Sequence, residues 1–260
     1  MPEGGDPLAR LVGSERVLAI LAELAVHADG IGLDDLARTV NSPKPTVHRA
    51  LVALRRAGFA TQDGHGHYVL GDEFLRLAFA HHELRPDHVR VRPALLALAE
   101  RFGETSHYAV LSDRSVVYRA KVDPPVGAVR LTSTIGGRNP AHSTAVGKML
   151  LAHALPHDEA VRDWADRGHL EARTEHTIVE PARLCAELST VREHGFAIEN
   201  QENEIGVSCL AVPVWLTSPS QPSGAISVSG LTYRTPLEAL VEAAEEIVSI
   251  VTSTTGSALR

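Results

Sequence analysis

Two amphipathic helical patterns lie close together near the N-terminal end of the chain. Apolar residues recur at positions i, i+3, i+4 and i+7 twice, first at Leu33, Leu36, Ala37 and Val40 and then at Val47, Ala50, Leu51 and Leu54. Asn41, Ser42 and Pro43 predict the turn between them, with Ser42 as the N-cap of the second helix. Two apolar stripes separated by so short a break predict helices that pack on each other.

The second of these helices carries basic residues on the face opposite its apolar stripe. At about 100° per residue, Arg49 and Arg56 point away from the core, with Thr46 and His48 at the edges of the same face. Residues 39–62 contain no Asp or Glu, although the whole chain has a formal net charge of −7. The positive charge is therefore concentrated where a helix would meet DNA.

A hairpin pattern follows this helix, and a third helix precedes the pair. Phe59–Gln62 and His67–Leu70 have the composition of short strands around a turn at Asp63–Gly66. Ser14–His27 shows helical spacing of its apolar residues. Three helices and a hairpin predict a winged helix-turn-helix domain over residues 14–70, although plain three-helix packing produces the same helical pattern.

The remaining sequence predicts a linker helix and a larger domain. Asp72–Leu84 predicts a helix within a linker at residues 71–86, and Asp87 begins another helix that runs through Arg101. Strands are predicted at Thr105–Leu111, Ser115–Ala120, Phe196–Glu199, Cys209–Leu216 and Ala225–Ser229, with Ala128–Thr132 as an edge strand. Helices are predicted at Thr144–His153, Asp158–Ala165, Pro181–His194 and from Leu237 to Val251. Helices framing an antiparallel sheet predict an α+β fold over residues 87–257.

The composition excludes several classes of protein. Of the 260 residues, 44% are hydrophobic and 22% are charged, which is typical of a folded globular chain. No apolar run approaches the roughly 20 residues of a membrane helix, and Met1–Arg10 lacks the apolar core of a signal peptide. Cys185 and Cys209 lie in unrelated contexts and predict neither a disulfide framework nor a zinc motif. We therefore expect a cytoplasmic protein that needs no membrane, metal or cofactor.

Catalytic motifs are incomplete in this chain. Gly147 and Lys148 look like the end of a phosphate loop, but His142 stands where that motif needs its first glycine, and Met149 replaces its Ser or Thr. The sequence has no Gly-x-Ser-x-Gly elbow, and its histidines lack metal-ligand spacing. We therefore predict no catalytic residue and no metal ligand.

Several sequence segments resemble one family of regulators. TVHRAL followed by AGF and YVLG is similar to the DNA-binding domain of IclR-type bacterial transcription regulators. GRNPAHSTAVGKMLLA at Gly137–Ala152, HGFAIENQENEIGVSCLAVPV at His194–Val214 and GAISVSG at Gly224–Gly230 resemble the effector-binding half of that family. The resemblance covers nearly the whole chain. It implies a GAF-like effector domain, a homodimer or dimer of dimers, and repression more often than activation.

The helix-turn-helix prediction leads to a set of DNA contacts. The helix Lys44–Ala57 is expected to enter the major groove of double-stranded operator DNA, and the hairpin is expected to meet the flanking backbone or minor groove. The residues expected to contact DNA are Lys44, Thr46, His48, Arg49, Arg56, His65 and His67.

A ligand pocket is predicted around the start of the helix at Thr144. The first free backbone N–H groups of this helix, near Ala145 and Val146, suit a carboxylate. Ser227 and Ser229 share one face of a strand, which the resemblance assigns to the pocket. The resemblance also implies an acidic residue ten positions before a cysteine, here Glu199 before Cys209. The expected effector-binding residues are Ala145, Val146, Glu199, Val207, Cys209, Ser227 and Ser229.

Simpler interpretations of these residues are open. Cys209 could be a buried small hydrophobic residue, and Ser227 and Ser229 could face water on an ordinary strand. Glu202 and Glu204 are interpreted as part of a solvated loop. The preferred function is a DNA-binding transcription regulator controlled by a small, carboxylate-bearing metabolite. The alternatives are an enzyme with a regulatory winged helix and a winged helix that serves only protein assembly.

Overall fold

The computed structural model of the protein describes residues 13–83, 87–124, 131, 133–218 and 220–256. The chain divides into two compact units, Met1–Arg85 and Pro86–Arg260. No helix within the described ranges has the length and apolar content needed to span a bilayer.

In the described residues, the first unit contains four helices and a two-stranded hairpin. They are α1 (Gly13–Val26), α2 (Leu33–Thr39), α3 (Lys44–Arg56), β1 (Ala60–Gln62), β2 (Tyr68–Leu70) and α4 (Asp72–Glu83). The apolar stripes of α2 and α3 pack with α1 around Ile20, Leu36 and Leu51, which are fully buried. The helix-turn-helix and its hairpin therefore form where the periodicity predicts them.

The turn between α2 and α3 corrects one prediction. Ser42 does not cap α3, because the N-cap position belongs to Pro43, which has no side-chain acceptor. The Ser42 hydroxyl instead accepts a hydrogen bond from Arg16 Nε (2.9 Å) and donates one to the Val40 carbonyl (3.1 Å). Pro45 lies in the first turn of α3, where a backbone N–H has no helical partner to lose. Ser42 thus ties α1 to the turn instead of starting α3.

The second unit is built on a six-stranded antiparallel sheet. Its elements are α5 (Asp87–Phe102), β3 (Thr105–Ser112), β4 (Ser115–Val122), β5 (Arg138–Pro140), α6 (Ala145–Ala154), α7 (Asp158–Asp166), α8 (Pro181–His194), β6 (Ala197–Asn200), β7 (Val207–Val214), β8 (Gly224–Leu231), α9 (Leu237–Glu242) and α10 (Ala244–Thr255). The strand order is β5-β4-β3-β8-β7-β6, with every neighbouring pair antiparallel. The predicted α+β fold class is confirmed.

Alternating side chains of this sheet face two different helical layers. On one face, Ala109 and Ala211 pack in a core with α6, α7 and α8. On the other face, Tyr108 and Leu210 pack in a core with α5, α9 and α10. The small residues of the first face let α6 approach the sheet closely, which places the start of that helix beside the strands.

Some element boundaries differ from the sequence-based expectation. The edge strand of the sheet is β5, which pairs with β4. An edge strand was expected at residues 128–132, but all of these except Leu131 lie outside the described residues. The expected C-terminal helix is two helices, α9 and α10, because the backbone at Ala243 leaves the helical conformation (φ −89°, ψ 7°). The expected linker helix ends at Glu83 as α4, and residues 84–86 are outside the described ranges.

Candidate functional site

The basic face of α3 is exposed in the first unit. His48, Arg49 and Arg56 are exposed, and Thr46 is half-buried at the edge of the face. Arg49 and Arg56 form no hydrogen bond or ion pair with another described residue. Their guanidinium groups can therefore meet an external partner without first breaking an internal contact.

Lys44, at the start of α3, is paired with an acid of the neighbouring helix. Its Nζ lies 2.7 Å from Asp34 Oδ2 of α2, and both side chains are more than half exposed. Residues 39–62 contain no acid, but Lys44 still has a carboxylate partner because α2 lies beside it. An exposed pair of this kind contributes about 0–1 kcal/mol, so a phosphate can replace Asp34.

Side-chain hydrogen bonds hold the hairpin in a defined position relative to α3. Arg55 Nη1 donates to Gln62 Oε1 (3.0 Å), and Gln62 Nε2 donates to a carbonyl of the hairpin turn (3.0 Å). Asp63 Oδ1 accepts the backbone N–H groups of His65 (2.9 Å) and His67 (2.8 Å), and both imidazoles are exposed. The contact between Arg55 and Gln62 was not predicted from the sequence, because exposed polar residues give no periodic signal.

The second unit contains a cavity of about 180 Å³ between the sheet and the start of α6. Residues of α6, β7 and β8, and of β6 at the sheet edge, line it although they are distant in sequence. All seven residues expected to bind an effector lie on its wall: Ala145, Val146, Glu199, Val207, Cys209, Ser227 and Ser229. The fold therefore brings these residues together around one space.

The first turn of α6 presents backbone N–H groups at this cavity. Thr144 is the N-cap, and its Oγ1 accepts the Gly147 N–H (3.1 Å). Ala145 and Val146 lie on the cavity wall at positions where an α-helix leaves its N–H groups without an intrahelical acceptor. A side chain at Gly147 would collide with the Ala141 carbonyl oxygen, so this glycine allows close packing at the start of α6. The helix start offers N–H groups and the positive end of its dipole to an anion.

Glu199 is the buried acid of the cavity. Only 2% of it is exposed, and its Oε1 accepts the backbone N–H groups of Glu202 and Asn203. Burial raises the pKa of Glu199 to about 7. This carboxyl therefore gains and loses a proton near neutral pH.

Hydrogen-bonding groups, rather than metal ligands, dominate the cavity wall. Within the described ranges, no group of three or more His, Cys, Asp or Glu side chains could hold a metal ion. Cys209 Sγ lies 3.2 Å from Ser229 Oγ. Burial raises the pKa of the Cys209 thiol well above its usual range, so the thiol stays protonated and is a poor nucleophile. Such a wall can bind and orient a small molecule.

His107 of β3 and Tyr118 of β4 also line the cavity and were not predicted. His107 Nδ1 lies 3.2 Å from Ser229 Oγ, and its Nε2 lies 2.7 Å from Ser133 Oγ. Burial lowers the pKa of His107 to about 3, so the imidazole is neutral. The Tyr118 hydroxyl accepts a hydrogen bond from Asn139 Nδ2 (3.2 Å), and burial raises its pKa to about 12. Both side chains add polar groups without adding charge.

Two arginines bring positive charge to the cavity from its exposed side. Arg138 of β5 and Arg173 of the segment between α7 and α8 are on the wall, and both are exposed. Arg173 Nη1 lies 3.4 Å from Glu171 Oε1, in a pair that is open to solvent. Together with the start of α6, these guanidinium groups favour an anionic ligand.

The loop before β7 corrects a second prediction. Glu202 is not solvated: it is 5% exposed, and its Oε1 lies 2.6 Å from Lys148 Nζ. Lys148 is fully buried in α6, and the same Nζ lies 2.6 Å from Glu187 Oε1 of α8. The Glu202 carbonyl also accepts a hydrogen bond from Thr177 Oγ1 (2.6 Å). Glu204 is exposed, as predicted, although it too lines the cavity.

Comparisons with known proteins match both units. Residues 14–64 match the family model described as the IclR helix-turn-helix domain, and residues 84–254 match the one described as bacterial transcriptional regulator IclR C-terminal. The chain is 32% identical to the HTH-type transcriptional regulator BhcR of Paracoccus denitrificans, over 94% of this chain and 88% of that protein. It is 31% identical to the transcriptional repressor IclR of Escherichia coli, over 83% of this chain and 78% of that protein.

A solved structure shows the same architecture. The crystal structure of Thermotoga maritima IclR covers 94% of this chain and 95% of its own, with a TM-score of 0.77 and 25% sequence identity. These similar proteins are described as transcription regulators and not as enzymes.

Proposed function

Because this chain belongs to the IclR family of bacterial transcription regulators, we propose that it binds operator DNA through its first unit and a small carboxylate metabolite through its second. Family membership makes it a DNA-binding regulator rather than an enzyme. The domains proposed for these roles are residues 14–70 for DNA and residues 87–257 for the metabolite and for oligomerisation, joined by a linker at residues 71–86.

The DNA-reading element is α3, which enters the major groove. Arg49 and Arg56 are exposed on it without described internal partners, and a guanidinium can bind a guanine edge or a phosphate. Thr46 and His48 flank them, and Lys44 exchanges Asp34 for a phosphate. The exposed imidazoles at His65 and His67 meet the flanking backbone or the minor groove.

Each chain has one winged helix-turn-helix domain, so the DNA-binding form is a homodimer or a dimer of dimers. A single recognition helix contacts few base pairs, and helix-turn-helix proteins gain specificity by placing two such domains on two half-sites of the operator. Symmetric homo-oligomers are the usual solution, and they imply an inverted-repeat operator.

The effector is a small molecule with a carboxylate group. The observation that carries this assignment is the first turn of α6, whose Ala145 and Val146 face the same cavity as Arg138 and Arg173. Backbone N–H groups, a helix dipole and two guanidinium groups all attract a negative charge. The remaining polar wall, which includes Ser227, hydrogen-bonds to the rest of the ligand.

Control of DNA binding follows from linkage, with repression as the default action. Similar proteins include the transcriptional repressor IclR of Escherichia coli and the acetate operon repressor of Salmonella typhimurium. A carboxylate that prefers the arrangement with weaker operator binding lowers operator affinity, by at most the free-energy difference between its own affinities for the two arrangements. The protein acts in the bacterial cytoplasm, where operator DNA lies.

Selection of DNA from a random-sequence pool by the purified full-length protein tests the DNA-reading role. We expect an inverted repeat whose binding weakens steeply with added salt, because phosphate contacts release counterions. Failure to retain any DNA at low salt would favour a winged helix used for protein assembly alone.

A thermal-shift series tests the effector site with matched pairs of carboxylic acids and their uncharged amides. A carboxylate at 100 times its dissociation constant should add about 2.7 kcal/mol to stability. Arg173→Gln should reduce this gain at a given concentration, whereas Arg167→Gln, an exposed position that does not line the cavity, should keep it. Equal stabilisation by the acid and its amide would contradict a carboxylate site.

A further inference from the structure

A buried cluster with more acidic than basic groups lies beside the cavity and meets its wall at Glu199. Lys148 is fully buried, and its Nζ lies 2.6 Å from a carboxylate oxygen of Glu187 and 2.6 Å from one of Glu202. Glu199 is joined to this cluster, because its carboxyl accepts the backbone N–H of Glu202. Two carboxyl groups therefore share one ammonium group, and the third, Glu199, has none within the described residues; of the three only the Glu187 side chain has substantial exposure, at 23%.

Glu199 is the acid of the cluster that has no cationic partner in the described part of the chain. Glu202 has Lys148 as its partner, whereas no described Lys, Arg or His forms an ion pair with Glu199. A buried carboxylate without a cation is costly, and a bound proton removes that cost. Burial, with a smaller contribution from the charge of Glu202, raises the pKa of Glu199 to about 7 despite the N–H groups that it accepts.

The cavity connects this carboxyl to a site for an anion. Glu199 lines the same space of about 180 Å³ as the first turn of α6. A ligand carboxylate at Ala145 and Val146 adds a second negative charge to that small volume whenever Glu199 is ionised. When Glu199 is protonated, this repulsion disappears, and its O–H group can donate a hydrogen bond to a ligand oxygen.

We propose that a carboxylate effector binds together with one proton taken from solvent, and that the Glu199 side chain holds this proton in the complex. The inference rests on the proposed function, because it takes the cavity to be a carboxylate site. Its consequence is that the regulator senses the same metabolite more weakly as the pH rises. Glu199 therefore sets the charge of the ligand that the cavity accepts.

The other groups on the cavity wall keep one charge state near neutral pH. Burial raises the pKa of the Cys209 thiol of β7 and of the Tyr118 hydroxyl of β4, the latter to about 12. Burial lowers the pKa of His107 of β3 to about 3. Arg138 and Arg173 are guanidinium groups, which stay protonated in proteins.

The charged groups on the elements packed against β6 are paired, exposed or held neutral. Burial lowers the pKa of His153 of α6. On α8, Arg192 donates to the Ala152 and Leu155 carbonyls, and Arg183, Glu193 and His194 are exposed.

Lys148 of α6 is paired with Glu187 of α8 and with Glu202 of the loop, and burial raises the pKa of Glu202 while Lys148 opposes that rise. The remaining acids of the adjoining loop and of α9 are exposed: Glu204, Glu238 and Glu242. Glu199 is therefore the group whose charge we expect to change on binding between about pH 6 and pH 8.5.

Isothermal titration calorimetry of the full-length protein at about pH 6 and about pH 8.5 tests this coupling. The probes are benzoate, pyruvate, lactate and succinate, each titrated in two buffers of different ionisation enthalpy. For a probe that binds, we expect Kd to rise about 30-fold between the two pH values, with uptake of close to one proton per site at the higher pH. Glu199→Gln should give equal Kd values, and Glu193→Gln, at an exposed position of α8, should follow the wild-type chain.

Each outcome bears on a defined proposal. Binding to the wild-type chain without proton uptake would overturn the role of Glu199, while the proposal of a carboxylate effector would stand. Proton uptake that persists in Glu199→Gln assigns the proton to another group and also overturns it. If none of the four probes binds at either pH, the carboxylate effector itself is contradicted, and this inference falls with it. The number of protons taken up is measured on the wild-type chain, so this test remains valid even if Glu199→Gln fails to fold.

Discussion

Two lysines with carboxylate partners at almost the same distance behave differently in the two units. Lys44 Nζ lies 2.7 Å from Asp34 on the surface proposed to bind DNA, and Lys148 Nζ lies 2.6 Å from Glu202 beside the cavity. The first pair is exposed, so water screens it and a phosphate can replace the aspartate. Lys148 is fully buried, so it cannot change partners without leaving an unpaired charge in the interior. Burial, rather than distance, decides which lysine can bind an external ligand.

The same contrast holds for the two sites as wholes. The surface proposed to bind DNA comes from one short segment, and its side chains are mostly exposed. The cavity is assembled from distant strands and one helix, and burial shifts the pKa values of its acid, its histidine and its tyrosine. Substitutions on the exposed face of α3 should therefore change binding more than stability, whereas those around the cavity should change both.

The largest expected effect separates the two lysines directly. Lys148→Met should lower the free energy of unfolding by about 3–5 kcal/mol, because it leaves buried carboxylates without their cation. Lys44→Met should lower it by less than about 1 kcal/mol. Urea unfolding of both variants at neutral pH measures this difference. Equal losses of stability would contradict the view that the buried Lys148 pair stabilises the fold whereas the exposed Lys44 pair does not.

The pH dependence of stability should report on Glu199 even without a ligand. Its folded-state pKa of about 7 lies above the usual 4.5 of glutamate, so the protonated form stabilises the fold. This contribution is complete below pH 4.5 and is lost as the pH rises through 7. Between these limits, the wild-type chain should lose roughly 3 kcal/mol relative to Glu199→Gln. Unfolding experiments across this range check it, with Glu193→Gln expected to stay parallel to the wild-type chain.

Arg49 should affect DNA binding without affecting the fold. Arg49→Ala should weaken binding to the selected operator by about 1–3 kcal/mol if the guanidinium contacts a base edge. Its unfolding curve should match that of the wild-type chain, because Arg49 has no described internal partner. Arg162→Ala, at an exposed position of α7, is the matched control and should leave operator affinity unchanged. Fluorescence anisotropy with labelled operator measures both, and unchanged affinity of Arg49→Ala would remove this residue from the interface.

The smallest expected effect concerns the position of the hairpin. Gln62→Ala removes the two hydrogen bonds that connect Arg55 with the hairpin turn. These bonds are exposed, so the loss of stability should be below about 1 kcal/mol. Operator affinity should still fall a few-fold, because the imidazoles of His65 and His67 lose their defined position. An operator affinity equal to that of the wild-type chain would show that the hairpin position does not matter for binding.

The helices and the hairpin of the first unit could be predicted because their signals are local. The apolar spacing that includes Val47 and Leu51 defines α3 within a single stretch of chain, and the same stretch supplies its basic face. The error at Ser42 has a local cause as well. Pro43 takes the N-cap position, so the helix starts one residue later than a serine cap would place it.

The cavity could be predicted only in part. The positions of Ala145 and Val146 follow from the capped start of α6. His107 and Tyr118 instead lie within runs of consecutive buried residues on β3 and β4, and such runs do not reveal which face meets the cavity. Glu202 was misplaced because its partner, Lys148, is far away along the chain, and an acid in a loop carries no sequence signal of burial.

The most direct test of control by the cavity is operator affinity of the full-length protein with and without a carboxylate that stabilises it. We predict that the carboxylate lowers operator affinity by roughly 5- to 150-fold, the usual range of coupling between two sites. Arg173→Gln should need about two- to fivefold more ligand for the same effect, because one exposed charge is lost from the cavity wall. A carboxylate that stabilises the protein through the cavity yet leaves operator affinity unchanged would contradict this control.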